Sequence, residues 1–481
     1  GIAIRAATTT PALSVFAMLV VALAAFTGAV TPGLLQQLQS DSLRYALAAT
    51  DPTQRDLSAS TRGAPEPGGS QEDLGLDPEV QAVWASPVRQ LRLARDAMDP
   101  RLRAVVGEPR VVTEFDPSEA EVLPGAAPRP RSQLYLRSDP ELDARVRWVA
   151  GERPRAGEGG LVEFGLTAEA AEVMAWELGE ERILPRPDGA EQRVVLTGVY
   201  EPLDPADPDW AHAPLGLEPN RVQTGLEPPL FSAVAFTAPE DLDTPLGWSD
   251  LVTTTAWYPL QLDAVRAEGA RELIASMRRF SAEGVLLDVV AQSFLAGSLQ
   301  FGSTAPVTLT EALVRVEATS AIVALIASGP VAVAVVVLAL TTRMLALRRR
   351  TSLQLAAARG ASVRLRVGLL SAEGAVLGVT GGLAGGITGA LLGQGSGPAV
   401  AVIPVLVALT PAVALPLIGM LVARRRPRAD LGTATSAGAA RRRLALELGI
   451  VALAAGAGAL VLTGSRSAGG RPDPILIALP L

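Results

Sequence analysis

The chain has 481 residues, 49% of them hydrophobic, 4% aromatic and 19% charged, with a net charge of −7. It holds no Cys and a single His, so disulfides, thiolate metal sites, His-pair metal sites and Cys–His nucleophilic pairs are excluded. All 42 basic residues are Arg, which also excludes a Walker lysine and a lysine Schiff base.

Mean hydropathy is +0.30, too high for a disordered chain and unlike a wholly soluble one. The charge is unevenly divided. Thr31 to Arg315 carries 44 acids and 25 Arg, a net of −19, whereas the remainder carries 17 Arg and 5 acids, a net of +12. The basic part also holds nearly all the long apolar runs, so the chain reads as two environments.

In chain order, Pro11 to Val30, preceded by Arg5, is apolar and long enough to cross a bilayer core. A cleaved signal peptide is the alternative reading of this stretch. Leu34 to Ala49 continues in helical style, which suits a span running on into a stalk. The acidic segment that follows is long enough for a core of its own, and its pattern predicts a mixed α/β domain. Helices are predicted over Pro78 to Met98, over Ala170 to Leu178 with Thr167 as N-cap and Gly179 as stop, over Leu260 to Phe280 and over Ala291 to Leu299. Strands are predicted at Val111 to Phe115, Gln133 to Leu136, Arg193 to Tyr200, Phe231 to Phe236 and Leu251 to Trp257. Thr61 to Ser70 and Leu203 to Pro214 have the composition of disordered surface loops. Asp204, Asp207 and Asp209 lack the glycine and terminal glutamate of a calcium loop, and His212 is expected to be hydrogen-bonded or solvated, not a general base.

Further spans are predicted at Ala318 to Thr342, Val367 to Leu392, Pro398 to Ala423 and Leu444 to Thr463. The apolar tail Ile475 to Leu481 reads as the start of a sixth. Fold class is therefore a membrane helical bundle of about five spans with a large extracytoplasmic α/β domain between the first two. The boundaries are 1–30 for the first span, 31–316 for the outer domain, 317–423 for a three-span core, 424–443 for a basic linker and 444–481 for the rest. Arg343, Arg348, Arg349, Arg350, Arg359, Arg364 and Arg366 lie between the second and third spans. Arg424, Arg425, Arg426, Arg428, Arg441, Arg442 and Arg443 lie between the fourth and fifth. Basic loops stay in the cytoplasm, so the N-terminus is inside and the acidic domain outside. That acidity argues against nucleic acid as a partner.

The loop Arg343 to Arg366 carries a local signal. Thr351 with Gln354 fits a capping box, and Gly360 sits where a left-handed C-cap is wanted, predicting a short separate helix near 351–360. Such a helix suits either a membrane surface or a docking peg for a soluble partner. In the next span Gly374, Gly378, Gly382 and Gly386 form one row of four-residue spacing, and Gly381, Gly385, Gly389 and Gly393 a second. Rows of this kind let helix backbones approach closely, here on two sides. Glu373 is a charge inside a span, a functional candidate by default, but the favoured reading is that it snorkels or bonds to a neighbouring loop.

The stretch Arg349 to Ser362, R-R-T-S-L-Q-L-A-A-A-R-G-A-S, resembles the inner loop of FtsX-like (MacB-type) ABC transporter permeases. It departs from the usual pattern at Ser352 and Ala357, where Glu and Arg are common. Glu373 and the glycine-rich span fit the same family. Leu166 to Gly179 and Arg193 to Pro202 look like its outer-domain core. The resemblance implies a permease subunit in a bacterial cytoplasmic membrane, with no catalytic, cofactor or metal site of its own. A separate ABC ATPase would dock on Arg348, Arg349, Arg350, Thr351, Gln354, Arg359, Gly360 and Ser362. It further implies a second permease half, in the same longer chain or as a dimer, contact with membrane lipid, and a cargo of lipoprotein, lipid, peptide or hydrophobic drug. The extra fifth span and abrupt tail suit the first half of a longer member. The alternative is a membrane-anchored sensor, or a regulator of an extracytoplasmic wall enzyme, without transport. A tethered hydrolase is a third class, for which no motif is present.

Overall fold

The computed structural model describes residues 11–423 apart from 71, 158–159, 187–189, 224, 242–251, 288, 291–297, 349 and 394–397. Arg349, the linker arginines from Arg424 onward, the fifth span and the tail therefore lie outside the described residues. The helices are α1 Pro11–Ala48, α2 Pro52–Arg55, α3 Pro78–Ala97, α4 Pro100–Arg103, α5 Ala168–Val173, α6 Ala270–Glu283, α7 Ala305–Arg348, α8 Arg350–Ala358, α9 Val363–Gly393 and α10 Pro398–Ala423. The strands are β1 Leu57–Arg62, β2 Ala64–Pro65, β3 Arg110–Phe115, β4 Ser118–Val122, β5 Arg131–Ser138, β6 Val146–Gly151, β7 Val162–Thr167, β8 Glu181–Pro185, β9 Glu191–Pro202, β10 Asn220–Val222, β11 Leu230–Thr237, β12 Val252–Tyr258, β13 Val285–Leu286, β14 Val289–Val290 and β15 Ser298–Leu299. Leu43–Ala312 forms one compact unit, and the chain on either side of it forms the other.

The first unit is built on one 11-stranded sheet, so the domain predicted as mixed α/β is β-rich. Part of the sheet closes on itself. β5 pairs with β4, β4 with β8, β8 with β9, β9 with β7, β7 with β11, and β11 returns to β5. The β5–β11 and β7–β9 pairs are parallel. Alternation decides what goes inside. Leu134 and Leu136 of β5 and Ala233 and Ala235 of β11 join one core with Phe164, Val194 and Leu196. Tyr135, Val234 and Phe236 face a second cluster with Tyr200 and Trp210. A register shift between Phe164 and Gly165 opposite β9 flips the alternation, so Val199 rejoins the first core while Tyr200 turns to the second. At this shift the Trp148 ring lies on Gly165 and Gly198. A Cβ on Gly165 would stand 2.5 Å from that ring, and one on Gly198 2.8 Å.

α5 is shorter than its sequence pattern predicts, ending at Val173 and not near Leu178. Thr167 does cap it, accepting from Ala170 N at 3.2 Å. The helix stops because Ala175 takes a positive φ of 46°, and Arg182 holds the turn. Its guanidinium donates to the Met174 and Ala175 carbonyls at 3.3 and 2.8 Å, and it lies 3.9 Å over the Trp176 ring.

Other expectations are corrected. The helix predicted from Leu260 starts only at Ala270, after Gly269 in the left-handed region at φ 82°. Ser298 and Leu299 form a strand against β13 instead of a helix end, and 291–297 lie outside the described residues. The two stretches with disordered composition are ordered. Leu203 to Pro214 contains a 3₁₀ turn over Pro208–His212 and buries Trp210 at 2% exposure, with Tyr200 Oη donating to the Gly216 carbonyl at 2.7 Å. In Thr61 to Ser70, β2 pairs with β14, and Gly68 exchanges backbone hydrogen bonds with Val83 and Ser86. Proline and aspartate made these segments look like loops, but one buried Trp and a few backbone bonds are enough to order them.

In the second unit, among the described residues, three helices are long and apolar enough to cross a membrane: Ala12–Ala48 within α1, Val363–Gly393, which is α9, and Ala401–Gly419 within α10. The predicted count of about five spans is not supported. The stretch Ala318 to Thr342 lies inside α7, a helix of 44 residues, whose described apolar run is the shorter Val336–Leu345. Many outward positions of the long helices are apolar, Leu19, Leu23 and Leu391 among them, as a lipid-facing surface requires.

Candidate functional site

The site begins at the corner between α7 and α9. α7 ends at Arg348, α8 occupies Arg350–Ala358, and α9 starts at Val363. The stop of α8 is fully hydrogen-bonded. Gly360 adopts φ 87°, its N–H donates to Ala357 O at 3.1 Å, and Ala361 N–H donates to Ala356 O at 3.0 Å. These are the two bonds of a Schellman motif, which needs a residue without Cβ strain at Gly360. Two residues later Ser362 caps α9, with Oγ accepting from Leu365 N at 3.3 Å. Thr351, predicted as the N-cap, instead lies in the first turn of α8, which opens at Arg350. Arg348, Gln354, Leu355, Arg359 and Ser362 are exposed. This corner therefore presents a short helix of fixed direction with arginines at either end.

α9 meets two helices through its two glycine rows. A Cβ placed on Gly374 or Gly378 would collide with the carbonyls of Pro411 or Ala408 of α10. One on Gly382 would collide with the Ala408 methyl, and one on Gly386 would stand 3.0 Å from Pro404 Cβ. On the other row, a Cβ on Gly381 would lie 2.6 Å from Met18 O of α1, and one on Gly389 would lie 2.8 Å from Phe26 O. Gly385 meets the Ala22 carbonyl and Gly393 the Val30 backbone. The first row faces α10 and the second faces α1, with backbone against backbone. Sequence reasoning missed Gly28 of α1, where a Cβ would lie 2.6 Å from Ile403 Cγ2 of α10. An isolated Gly within an apolar helix was the available signal. Glu373 is 2% exposed and adjoins the Gly374–Pro411 contact.

In the β-rich unit, the one histidine is buried. His212 Nε2 lies 3.2 Å from Asp56 Oδ2, and its ring stacks on Trp257 at 4.3 Å. Asp56 Oδ1 accepts from Leu260 N at 3.0 Å, and Arg137 donates to the His212 carbonyl at 2.6 Å. Asp204 and Asp207 accept from the backbone N–H groups of Ala206 and Asp209, while Asp209 Oδ2 takes a bond from Arg110 Nε at 3.1 Å. These carboxylates fold their own loop, and among the described residues no group of three could hold a metal ion.

Three carboxyls are held below the ordinary range, Asp51 among them through the hydrogen bonds it accepts from Thr53. The Arg131 guanidinium bonded to Glu119 lowers that carboxyl. At Glu180 burial pushes the carboxyl up, but the Glu177 N–H and Arg182 outweigh it and the net shift is downward. Burial drives the Tyr200 hydroxyl well above its usual value.

Three long apolar helices and a β-rich unit between the first and second of the chain's long helices define a membrane protein. No protein-family model matches the chain, and no curated protein matches it either. Among solved structures it is similar to a crystallised domain of a protein described as a permease, from Porphyromonas gingivalis. That likeness has 14% identity and a TM-score of 0.22 over 47% of this chain and 82% of the other. At that TM-score the likeness carries no argument about function.

Proposed function

We propose that this chain is the permease subunit of an ABC transporter of the FtsX-like (MacB-type) kind. It sits in a bacterial cytoplasmic membrane with the α7–α9 corner inside and the β-rich unit outside. ATP is hydrolysed by a separate subunit that docks on α8. Closure of that ATPase moves α9, and α9 moves α1 and α10 through its glycine rows. α1 and α7 are single helices that continue into Leu43–Ala312, so they carry the movement outward. A second permease half completes the assembly, and the cargo is a lipoprotein, lipid, peptide or hydrophobic drug.

The observation that carries this reading is α8 itself. A nine-residue helix has little stability alone, yet here it is stopped by a full Schellman motif and followed at once by a capped long helix. A membrane-surface helix would need a broad apolar face, but Leu355, Ala357 and Ala358 are exposed and offer only a narrow one. Exposed arginines at its ends suit an acidic cleft on a soluble partner. The test is co-purification with the separately encoded ATPase. Changing Arg348, Arg350 and Arg359 together to Glu is expected to weaken association at least about tenfold, roughly 1.4 kcal/mol, and to leave the β-rich unit folded. Intact association and ATP turnover in that variant would remove the docking role.

A further inference from the structure

The β-rich unit is acidic as a whole, but two of its helical segments are not. Val88 to Arg103 and Ala270 to Glu283 together carry 8 Arg and 4 acids, a net of +4. The rest of Thr31 to Arg315 carries 17 Arg and 40 acids, a net of −23. The two segments form one layer. Tyr258 of β12 donates through Oη to the Leu91 carbonyl of α3 at 2.8 Å, and its ring meets Phe280 of α6 edge-on at 5.9 Å. α4 joins them. Arg103 donates to the Asp96 carbonyl near the end of α3 at 3.0 Å, and Arg101 pairs with Glu272 of α6 at 3.5 Å. Elsewhere in the unit Arg129, Arg131, Arg147 and Arg153 each hold a carboxylate. On this layer Arg89, Arg278 and Arg279 are exposed and, among the described residues, meet no carboxylate. Arg103 holds only that backbone carbonyl.

We infer that the α3–α4–α6 layer is a lipid-docking face, which seats the β-rich unit on the anionic headgroups of the bilayer that the chain's own long helices occupy. Three observations favour a lipid surface as the occupant. The first is charge. Guanidiniums without carboxylates offer forked donors to lipid phosphates, while the acidic remainder is repelled from the same surface, so only one orientation is attractive. The second is the apolar side chains among the arginines. Leu93, one turn from Arg89 on the same face of α3, is 60% exposed, and Leu286, on β13 beside α3, is 76% exposed. A cationic face carrying exposed leucines suits the boundary between headgroups and acyl chains, whereas a hydrophilic polyanion would leave those leucines in water. The third is tethering. Arg44, near the end of α1, donates to the carbonyls of Asp263 and Val265 at 2.9 and 3.0 Å, in the turn that leads into α6. The face is thus fastened to a helix with an apolar run long enough to cross a membrane, and a tethered surface needs only weak individual contacts. Lipid docking requires a membrane-embedded chain but no ATPase, so it stands apart from the permease reading.

The full chain, which has no native cysteine, is reconstituted in nanodiscs of phosphatidylcholine alone or of an equal mixture with phosphatidylglycerol. Ala275→Cys, exposed on α6 between Arg271 and Arg278, carries a fluorophore, and lipids with a nitroxide headgroup serve as the quencher. Quenching in the mixed bilayer is expected to be at least about threefold that in phosphatidylcholine, and to fall by about half or more at high salt. Changing Arg89, Arg278 and Arg279 together to Glu is expected to bring it down to the phosphatidylcholine level, while the same three changed to Lys keep it within about twofold. All three side chains are exposed, and tryptophan emission checks that each variant is folded. A label on Leu226→Cys, fully exposed in the acidic remainder, is expected to stay unquenched in both bilayers. Equal quenching of Ala275→Cys in the two bilayers, an unchanged glutamate variant, or equal quenching from Leu226→Cys would overturn the lipid-docking face. A layer that binds a soluble anionic polymer but leaves Ala275→Cys unquenched beside phosphatidylglycerol would overturn it too.

Discussion

His212 Nε2 and Asp56 Oδ2 stand 3.2 Å apart, and this pair fastens the Asp- and Pro-rich loop to the segment that follows α1 and α2. The same region ties the two chain crossings together. Ser303 Oγ donates to Arg55 O at 2.6 Å, and Ser58 and Gly302 exchange backbone bonds at 3.0 and 2.8 Å. The stretch after α1 and the stretch before α7 are thus hydrogen-bonded side by side within the β-rich unit. Under the proposed function, movement arriving by either helix is delivered to one place.

The His212→Ala change removes that bond and the stacking on Trp257, while Asp56 keeps its bond from Leu260 N. A loss of about 2 kcal/mol is expected from one charge-assisted bond and one ring contact. All six tryptophans lie between Trp84 and Trp257, so tryptophan fluorescence during denaturant unfolding reads this unit selectively.

Arg182→Met is expected to cost more, about 3 kcal/mol, because it strips two carbonyls and Glu180 of a buried partner. The same fluorescence transition measures it. A cost no larger than that of His212→Ala would show that the Ala175 turn holds without the arginine.

Acid should weaken the β-rich unit in a defined way. Glu119 and Glu180 have folded pKa values lowered by their arginine and backbone partners. Their stabilisation is complete above the unfolded carboxylate value, about 4.3, and is lost as pH falls through the lower folded values. Glu180 should contribute the larger share, because Glu119 is 41% exposed and screened by solvent. Melting temperatures followed by tryptophan fluorescence between pH 7 and pH 3 should fall at the acid end, and Glu180→Gln should flatten part of that fall.

Gly385→Leu drives a side chain into the Ala22 carbonyl region of α1 and is expected to cost about 2 kcal/mol by overpacking. Leu383→Ala, at an outward position two residues away, should cost much less in detergent thermal unfolding. Equal losses would mean that the α1–α9 contact contributes little.

Much of the fold was legible in periodicity. β3, β5, β9, β11 and β12 match alternating runs, and α1 and α3 match their apolar spacing, because burial on one face leaves a period in the sequence. The β-barrel closure was not legible. It depends on β5 pairing with β11 across about a hundred residues, and no local pattern encodes that. Trp210 shows the same limit, since one aromatic residue in a proline-rich loop gives no period. At the site, the glycine spacing and the Gly360 stop can be read from sequence because each reflects a missing Cβ. Which helix each glycine row meets cannot, because tertiary packing decides it.

The most direct test of the account is site-specific cross-linking from α8. Leu355 is 56% exposed there, and Leu391, at the far end of α9, is 73% exposed. A short cross-linker on Leu355→Cys should capture the separately encoded ATPase in native membranes, while Leu391→Cys should not. Capture from Leu391→Cys, or none from Leu355→Cys with the ATPase present, would contradict docking at this corner.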